Sequence, residues 1–95
     1  MSEYMEVYWI HQSEDEPVWL YSELDTQRLE RRKIDIYKDE SFGIAGAGME
    51  FGGTILAAES VPAIEDINKD KEFIAKPISR EKFEELWNHY TTFLK

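Results

Sequence analysis

The side chains best suited to chemistry in this chain are two histidines and a run of carboxylates. His11 precedes the acidic segment Glu14-Asp15-Glu16, and a histidine held against a carboxylate can transfer protons near neutral pH. His89 is distant in sequence, at the boundary of an apolar helical stripe, and there is no cysteine. Because this spacing holds no second catalytic group in place, we interpret His11 as a surface residue beside a solvated turn. We expect a protein that is not an enzyme.

Two other patterns match a known site only in part. The acidic segment offers the oxygen ligands that Ca²⁺ prefers, but the EF-hand spacing with its glycine and terminal glutamate is missing. The stretch from Gly43 to Gly48 lacks the Gly-Lys-Ser/Thr ending of a P-loop and the G-x-G-x-x-G spacing of a dinucleotide fold. We interpret it as a hairpin of small residues and predict neither a metal site nor a cofactor.

Charge is the strongest signal in the composition. Twenty acidic residues against eleven basic ones give a formal net charge of −9 at pH 7. Nucleic-acid binders neutralise phosphates with Lys and Arg, so this balance argues against nucleic acid and favours a basic partner protein. We expect no membrane partner, because the longest clean apolar run, Ile55 to Ala58, is far too short to span one.

The N-terminal residues lack the basic start and apolar stretch of a signal peptide. Together with the absence of cysteine, this predicts a cytoplasmic protein. The length of 95 residues predicts one domain over 1–95. An exposed strand edge at Met5 to His11 would permit weak pairing of two copies, so we expect a monomer or weak homodimer.

Alternating apolar and polar residues predict an antiparallel sheet. The predicted strands are Met5 to His11, Val18 to Asp25, Leu29 to Lys38, Phe42 to Ala47 and Thr54 to Ala57. Leu29 breaks the alternation of its strand, which indicates a bulge near Glu30 or Arg31. Ala63 to Asn68 predicts a short helix, because Ile64 and Ile67 are three residues apart.

The C-terminal segment predicts an α-helix. Ser79 is a good N-cap, and Ile78 and Phe83 are spaced for a hydrophobic staple. One apolar stripe follows at helical spacing: Phe83, Leu86, Trp87, Tyr90 and Leu94. The fold class is therefore α+β: a small antiparallel sheet of three to five strands packed against a C-terminal α-helix, with a short helix before it.

The second predicted strand has two different faces. If Val18, Leu20 and Leu24 face the helix, then the opposite set faces solvent: Trp19, Tyr21, Glu23 and Asp25. Large aromatic residues beside carboxylates are typical of protein interfaces. The alternative is that Glu23 pairs with Arg31 or Lys33 across the sheet while Trp19 packs under a loop.

Several short segments carry a family resemblance: Val18 to Asp25, Arg32-Lys33, Gly53-Thr54, Val61-Pro62, Glu65 to Ile67 before Glu72-Phe73, and Ile78 to Phe83 with Trp87. Together they resemble a family of small, stand-alone bacterial proteins described as a domain of unknown function. The resemblance implies a bacterial domain without established catalytic residues, and small bacterial proteins of this kind often accompany polymorphic toxin systems. The chain departs from the usual pattern between Phe42 and Phe51.

These observations favour a non-enzymatic acidic protein-binding module. The more specific hypothesis is an immunity protein that inhibits a basic toxin such as a nuclease. The predicted binding residues are Trp19, Tyr21, Glu23, Asp25, Glu14, Asp15 and Glu16. A small ligand-binding or regulatory domain is the alternative. A carboxylate-based hydrolase that uses Glu23, Asp25 or the acidic residues near His11 is a further one.

Overall fold

The computed structural model describes residues 2–94, which form an antiparallel sheet with a helix on each face. The sheet contains six strands within this range: β1 (Glu3–Trp9), β2 (Trp19–Leu24), β3 (Glu30–Ile36), β4 (Phe42–Gly46), β5 (Met49–Phe51) and β6 (Phe73–Pro77). The helices are α1 (Ile64–Ile67) and α2 (Arg80–Thr91), and a 3₁₀ turn, Thr92–Leu94, follows α2. The predicted α+β class, the short helix and the C-terminal helix are thus confirmed.

The sheet contains more strands than the three to five predicted. Its order is β5-β4-β3-β2-β1-β6, and every neighbouring pair is antiparallel. The predicted strand Thr54 to Ala57 is wrong, because this segment crosses the sheet face instead. Thr54 Oγ1 donates to Asp35 there, and the Ala57 amide donates to Glu30 Oε1. The two unpredicted strands are β5 and β6, at opposite edges of the sheet.

The register between β2 and β3 confirms the predicted bulge. Glu23 pairs with Arg32, whereas the next residue, Leu24, pairs with Glu30. Arg31 is therefore the extra residue on β3, and Glu30 lies opposite Leu24.

Helix α2 packs on the sheet face that carries Tyr21, Ile34 and Ile44. The Ser79 side chain caps the helix by accepting from the Lys82 amide at 3.0 Å. Phe83 and Trp87 complete this core.

We expected Val18, Leu20 and Leu24 to face the helix, and that assignment of faces is wrong. Leu20 and Leu24 point to the other side, where Met5, Val7 and Ala75 form a second core with help from α1.

Strand β1 lies inside the sheet, between β2 and β6. The expectation that Met5 to His11 forms an exposed edge is therefore wrong, because β6 returns from late in the chain to cover it. The edge at β6 is itself covered: Asn68 Oδ1 accepts from the Ala75 amide at 2.6 Å, and Asn68 Nδ2 donates to the Ala75 carbonyl at 2.9 Å.

Among the described residues, no helix is both long enough and apolar enough to cross a membrane.

Candidate functional site

Carboxylates from two separate turns meet at one end of the sheet. In an antiparallel meander, the β1–β2 loop and the β3–β4 turn fall at the same end. We call the resulting surface the acidic end. It consists of five exposed residues: Glu14, Asp15, Glu16, Asp39 and Glu40. Burial raises the pKa of Tyr37, and the charges of Asp35 and Glu16 raise it further. The acidic segment predicted to bind a partner is therefore half of a larger surface.

The β1–β2 loop is held in shape by His11. Its Nε2 lies 2.8 Å from the Pro17 carbonyl oxygen, and its Nδ1 accepts from the Ser13 amide at 3.0 Å. A carbonyl can only accept, so these contacts select the neutral imidazole with its proton on Nε2. Both ring nitrogens of His11 therefore contact backbone groups of the β1–β2 loop. These contacts order the segment that carries Glu14 and Asp15.

The β3–β4 turn is ordered by its own side chains. Asp39 Oδ1 accepts from the amide and from the hydroxyl of Ser41, and these bonds hold the pKa of Asp39 below its ordinary value. Glu40 adopts a left-handed conformation with φ of 71°, which turns the chain back toward β4. The turn therefore presents two exposed carboxylates, and Ser41 holds that of Asp39 in place.

Aromatic side chains adjoin the acidic end. A groove of about 580 Å³ is lined by Glu14, Asp15 and Glu40 together with Tyr37, Phe42 and Phe51. Gly52 borders it with φ of +74°, and a Cβ there would lie 2.5 Å from the Phe42 carbonyl oxygen, so only glycine permits this close approach.

A neighbouring groove of about 680 Å³ contains the predicted anchor Trp19. Its aromatic lining includes Tyr8, Trp19, Tyr37 and Tyr90, and Glu40 borders it as well. The Tyr8 and Trp19 rings lie 4.8 Å apart, and Tyr8 is 37% exposed. Trp19 is half-buried, so it is neither fully exposed as predicted nor enclosed. An aromatic groove beside a carboxylate suits the side chain of Arg or Lys.

Tyr21 and Glu23, which we predicted to face solvent, are buried. Tyr21 lies in the core under α2, and burial raises its pKa to about 12. Glu23 accepts from Arg32 Nε at 2.6 Å and from the Tyr4 hydroxyl at 3.0 Å. Burial alone would raise the pKa of Glu23, but the bonds from Arg32 and Tyr4 hold it below its ordinary value. These two residues support the fold and are unavailable to a partner.

The predicted cross-strand partners of Glu23 were also wrong. The register places Arg32 beside Glu23, whereas Lys33 pairs with Ser22 and projects from the opposite face of the sheet. Arg31 is the extra residue of the bulge and has no direct partner on β2. Asp25 lies at the other end of β2 from Trp19, where its Oδ1 accepts from the amides of Gln27 and Leu29. It shapes the β2–β3 turn and does not join the acidic end.

Sequence reasoning missed Asp39, Glu40, Tyr37, Phe42 and Phe51 as members of the site. The signal for the first two was present, because adjacent hairpins in a meander place alternate turns at the same end of the sheet. Phe51 belongs to β5, which was not predicted. Within residues 2–94, no group of three or more His, Asp or Glu side chains is arranged to hold a metal ion.

The fold and its surfaces define an acidic α+β domain with an aromatic groove at one end. The chain belongs to the family described as Domain of unknown function (DUF6881), which matches residues 3–92. No curated protein and no solved structure matches the chain at a significant level.

Proposed function

We propose that this protein is a non-enzymatic protein-binding module that uses the acidic end to bind a basic protein, and that this partner is a toxin domain which it inhibits as an immunity protein. The observation that carries the proposal is the convergence of five exposed carboxylates with an aromatic groove. Charge would bring the partner in, and the groove would retain it.

The electrostatic step rests on net charge and its local concentration. The chain carries −9 at pH 7, and Lys38 is the one lysine or arginine among the residues that line the two grooves described above. A concentrated field of one sign raises association rates by roughly 10 to 10³. The carboxylates would also occupy the positions of nucleic-acid phosphates on a toxin that is a nuclease.

The retention step rests on Trp19, Tyr8 and Tyr37. Aromatic residues that remain partly accessible are the common anchors of protein interfaces. An Arg or Lys side chain in the groove would contact these rings and approach Glu40. Two of the carboxylates considered for a hydrolase, Glu23 and Asp25, accept hydrogen bonds within the fold. Beside the third candidate, the acidic residues near His11, both imidazole nitrogens contact backbone atoms of the loop. These contacts support a binding role over a catalytic one.

The test compares two sets of charge-neutral variants of the full chain. The first carries Glu14→Gln, Asp15→Asn and Glu40→Gln at the acidic end. The control carries Glu59→Gln, Glu65→Gln and Glu81→Gln, which remove the same charge from exposed residues elsewhere. The probe is the purified product of a gene that flanks this chain's gene, which we expect to be cationic, with lysozyme as a basic protein of unrelated structure.

We expect the neighbouring protein to bind, with an association rate that falls as salt rises. The first set should lower that rate about tenfold or more, and the control set should lower it far less. Trp19→Ala should mainly raise the dissociation rate. The proposal fails if the neighbouring protein binds no better than lysozyme, or if both sets lose the same affinity.

A further inference from the structure

The sheet face opposite α2 carries a separate groove of about 390 Å³. Its floor is formed by Met5 and Val7 of β1 and by Leu20 and Ser22 of β2. The side walls come from α1, from the segment that precedes it and from β6. They are Val61, Pro62, Ile67 and Phe73. The volume is that of a small-molecule site.

One polar group lies in the floor of this apolar groove. Ser22 is 3% exposed, and its cross-strand neighbours are Met5 and Lys33. A hydroxyl in such a position can donate to or accept from a bound molecule.

The charged residues that line the groove are all acidic: Glu30, Asp66 and Asp70. Three cations lie beside the groove, and each pairs with a carboxylate. Arg28 donates to the carbonyls of Val61 and Pro62 and pairs with Glu3. Lys33 and Lys69 pair with Glu30 and Asp66 at 3.5 and 3.1 Å. Asp70 Oδ1 accepts from the Glu72 amide at 2.9 Å, and no ion pair to Asp70 is recorded within the described range. The Asp70 carboxylate at the rim therefore favours a ligand with a positive end.

We propose that this groove binds a small apolar compound that carries a primary amine. The apolar part covers Val7, Leu20 and Phe73, and the ammonium group lies at the rim beside Asp70 and Asp66. The groove is too small for a folded partner, and it lies on a different surface from the acidic end. Its occupancy is therefore independent of the protein-binding role.

The experiment is a ¹H–¹⁵N NMR titration of the full chain with three matched probes. Phenethylamine is cationic, 2-phenylethanol is neutral and phenylacetate is anionic, and all three are of similar size. We expect saturable shifts centred on the amides of Val7, Leu20, Ser22 and Phe73. We expect phenethylamine to bind about tenfold tighter than phenylacetate. Absence of saturation, shifts centred on the acidic end instead, or equal affinity for the amine and the acid would each overturn the proposal.

Substitutions in the groove test whether the probes bind there. Val61→Phe should fill the groove and abolish the saturable shifts. Ile55→Phe is the matched control, because Ile55 is 67% exposed and does not line the groove. Unchanged binding to Val61→Phe overturns the proposal. If that variant does not fold, Asp70→Asn, which keeps an oxygen acceptor for the Glu72 amide, should weaken phenethylamine several-fold and leave 2-phenylethanol unchanged. An equal effect of Asp70→Asn on both probes overturns the charge assignment.

Discussion

Arg32 on β3 holds Glu84 on α2 by two parallel hydrogen bonds, 2.9 Å from Nη1 to Oε1 and 2.8 Å from Nη2 to Oε2. The third nitrogen, Nε, donates to Glu23. The guanidinium carbon lies 5.0 Å and 5.2 Å from the ring centroids of Phe83 and Trp87. Since the Arg32 side chain is 15% exposed, one largely desolvated group joins the helix to the sheet through charge, hydrogen bonds and ring contacts.

Removing this guanidinium should destabilise the protein strongly. Arg32→Met would leave Glu23 buried without its cation, a change that typically costs about 3–5 kcal/mol. Arg32→Lys should cost less but remain destabilising, because an ammonium cannot reproduce the paired bonds to Glu84. Urea denaturation measures both values. Arg31→Met is the control: Arg31 is exposed, so its loss should change the free energy of unfolding by about 0.5 kcal/mol or less. Equal values for the two positions would contradict the role assigned to Arg32.

The same cluster predicts an acid-side loss of stability. The hydrogen bonds from Arg32 hold the pKa of Glu84 below its ordinary value of 4.5, and the pKa of Glu23 is lowered as well. A lowered native pKa contributes stability above pH 4.5 that is lost as pH falls through the native value. Urea denaturation between pH 7 and pH 3 should show the free energy of unfolding decrease, and Glu84→Gln should flatten that decrease. Parallel curves for the two proteins would refute this assignment.

The contribution of Asp35 to the pH dependence of the free energy of unfolding should have the opposite sign. It is 7% exposed; Thr54 donates to Oδ2 at 3.2 Å, and Oδ1 has no partner among the described residues. Burial raises the pKa of Asp35, against the lowering effects of Lys33 and Thr54. A raised native pKa gives stability that is full below the ordinary value of 3.8 and is lost as pH rises through the native value. The charged form is therefore unfavourable at neutral pH.

Asp35→Asn should accordingly stabilise the protein at pH 7 by about 1–3 kcal/mol, because an amide carries no buried charge. Thermal and urea denaturation at pH 7 and at pH 3 would measure the gain, which should shrink at the lower pH. Asp15→Asn, at an exposed position, provides the control and should change little. A destabilised Asp35→Asn protein at pH 7 would mean that the carboxylate is favourably paired.

The Asn68 side chain should control the hydrogen exchange of backbone amides at the β6 edge of the sheet. Its amide group satisfies both outward backbone groups of Ala75, so Asn68→Ala should leave the Ala75 amide open to solvent. We expect hydrogen exchange at Ala75 to accelerate about tenfold or more. The amide of Lys76 should change less, because alternation along β6 points it toward β1.

Size-exclusion chromatography of the same variant should show more self-association, since an open strand edge can pair with another copy. Asn88→Ala, at an exposed position on α2, is the matched control. Unchanged exchange at Ala75 in Asn68→Ala would show that other contacts protect this edge.

Elements with local signals were predictable from the sequence. Helix α2 follows from the Ser79 cap and the apolar stripe through Phe83 and Trp87, because a cap and a helical period involve only nearby residues. The bulge at Arg31 followed from broken alternation. Strand β5 was missed because it is three residues long and depends on a turn with positive φ at Ala47 and Gly48. Strand β6 was missed because its partner, β1, is at the other end of the chain.

By itself, the sequence determined the alternation of β2, the acidic charge and the amphipathic final helix. Alternation divides a strand into two sets of side chains, but it does not say which set the helix covers when both contain large apolar residues. The tertiary structure decided that α2 covers Tyr21 and Glu23, because the register places Arg32 beside Glu23 and within reach of Glu84. It also decided which carboxylates meet: Glu14 and Glu40 share one groove because hairpin pairing brings distant turns to the same end of the sheet.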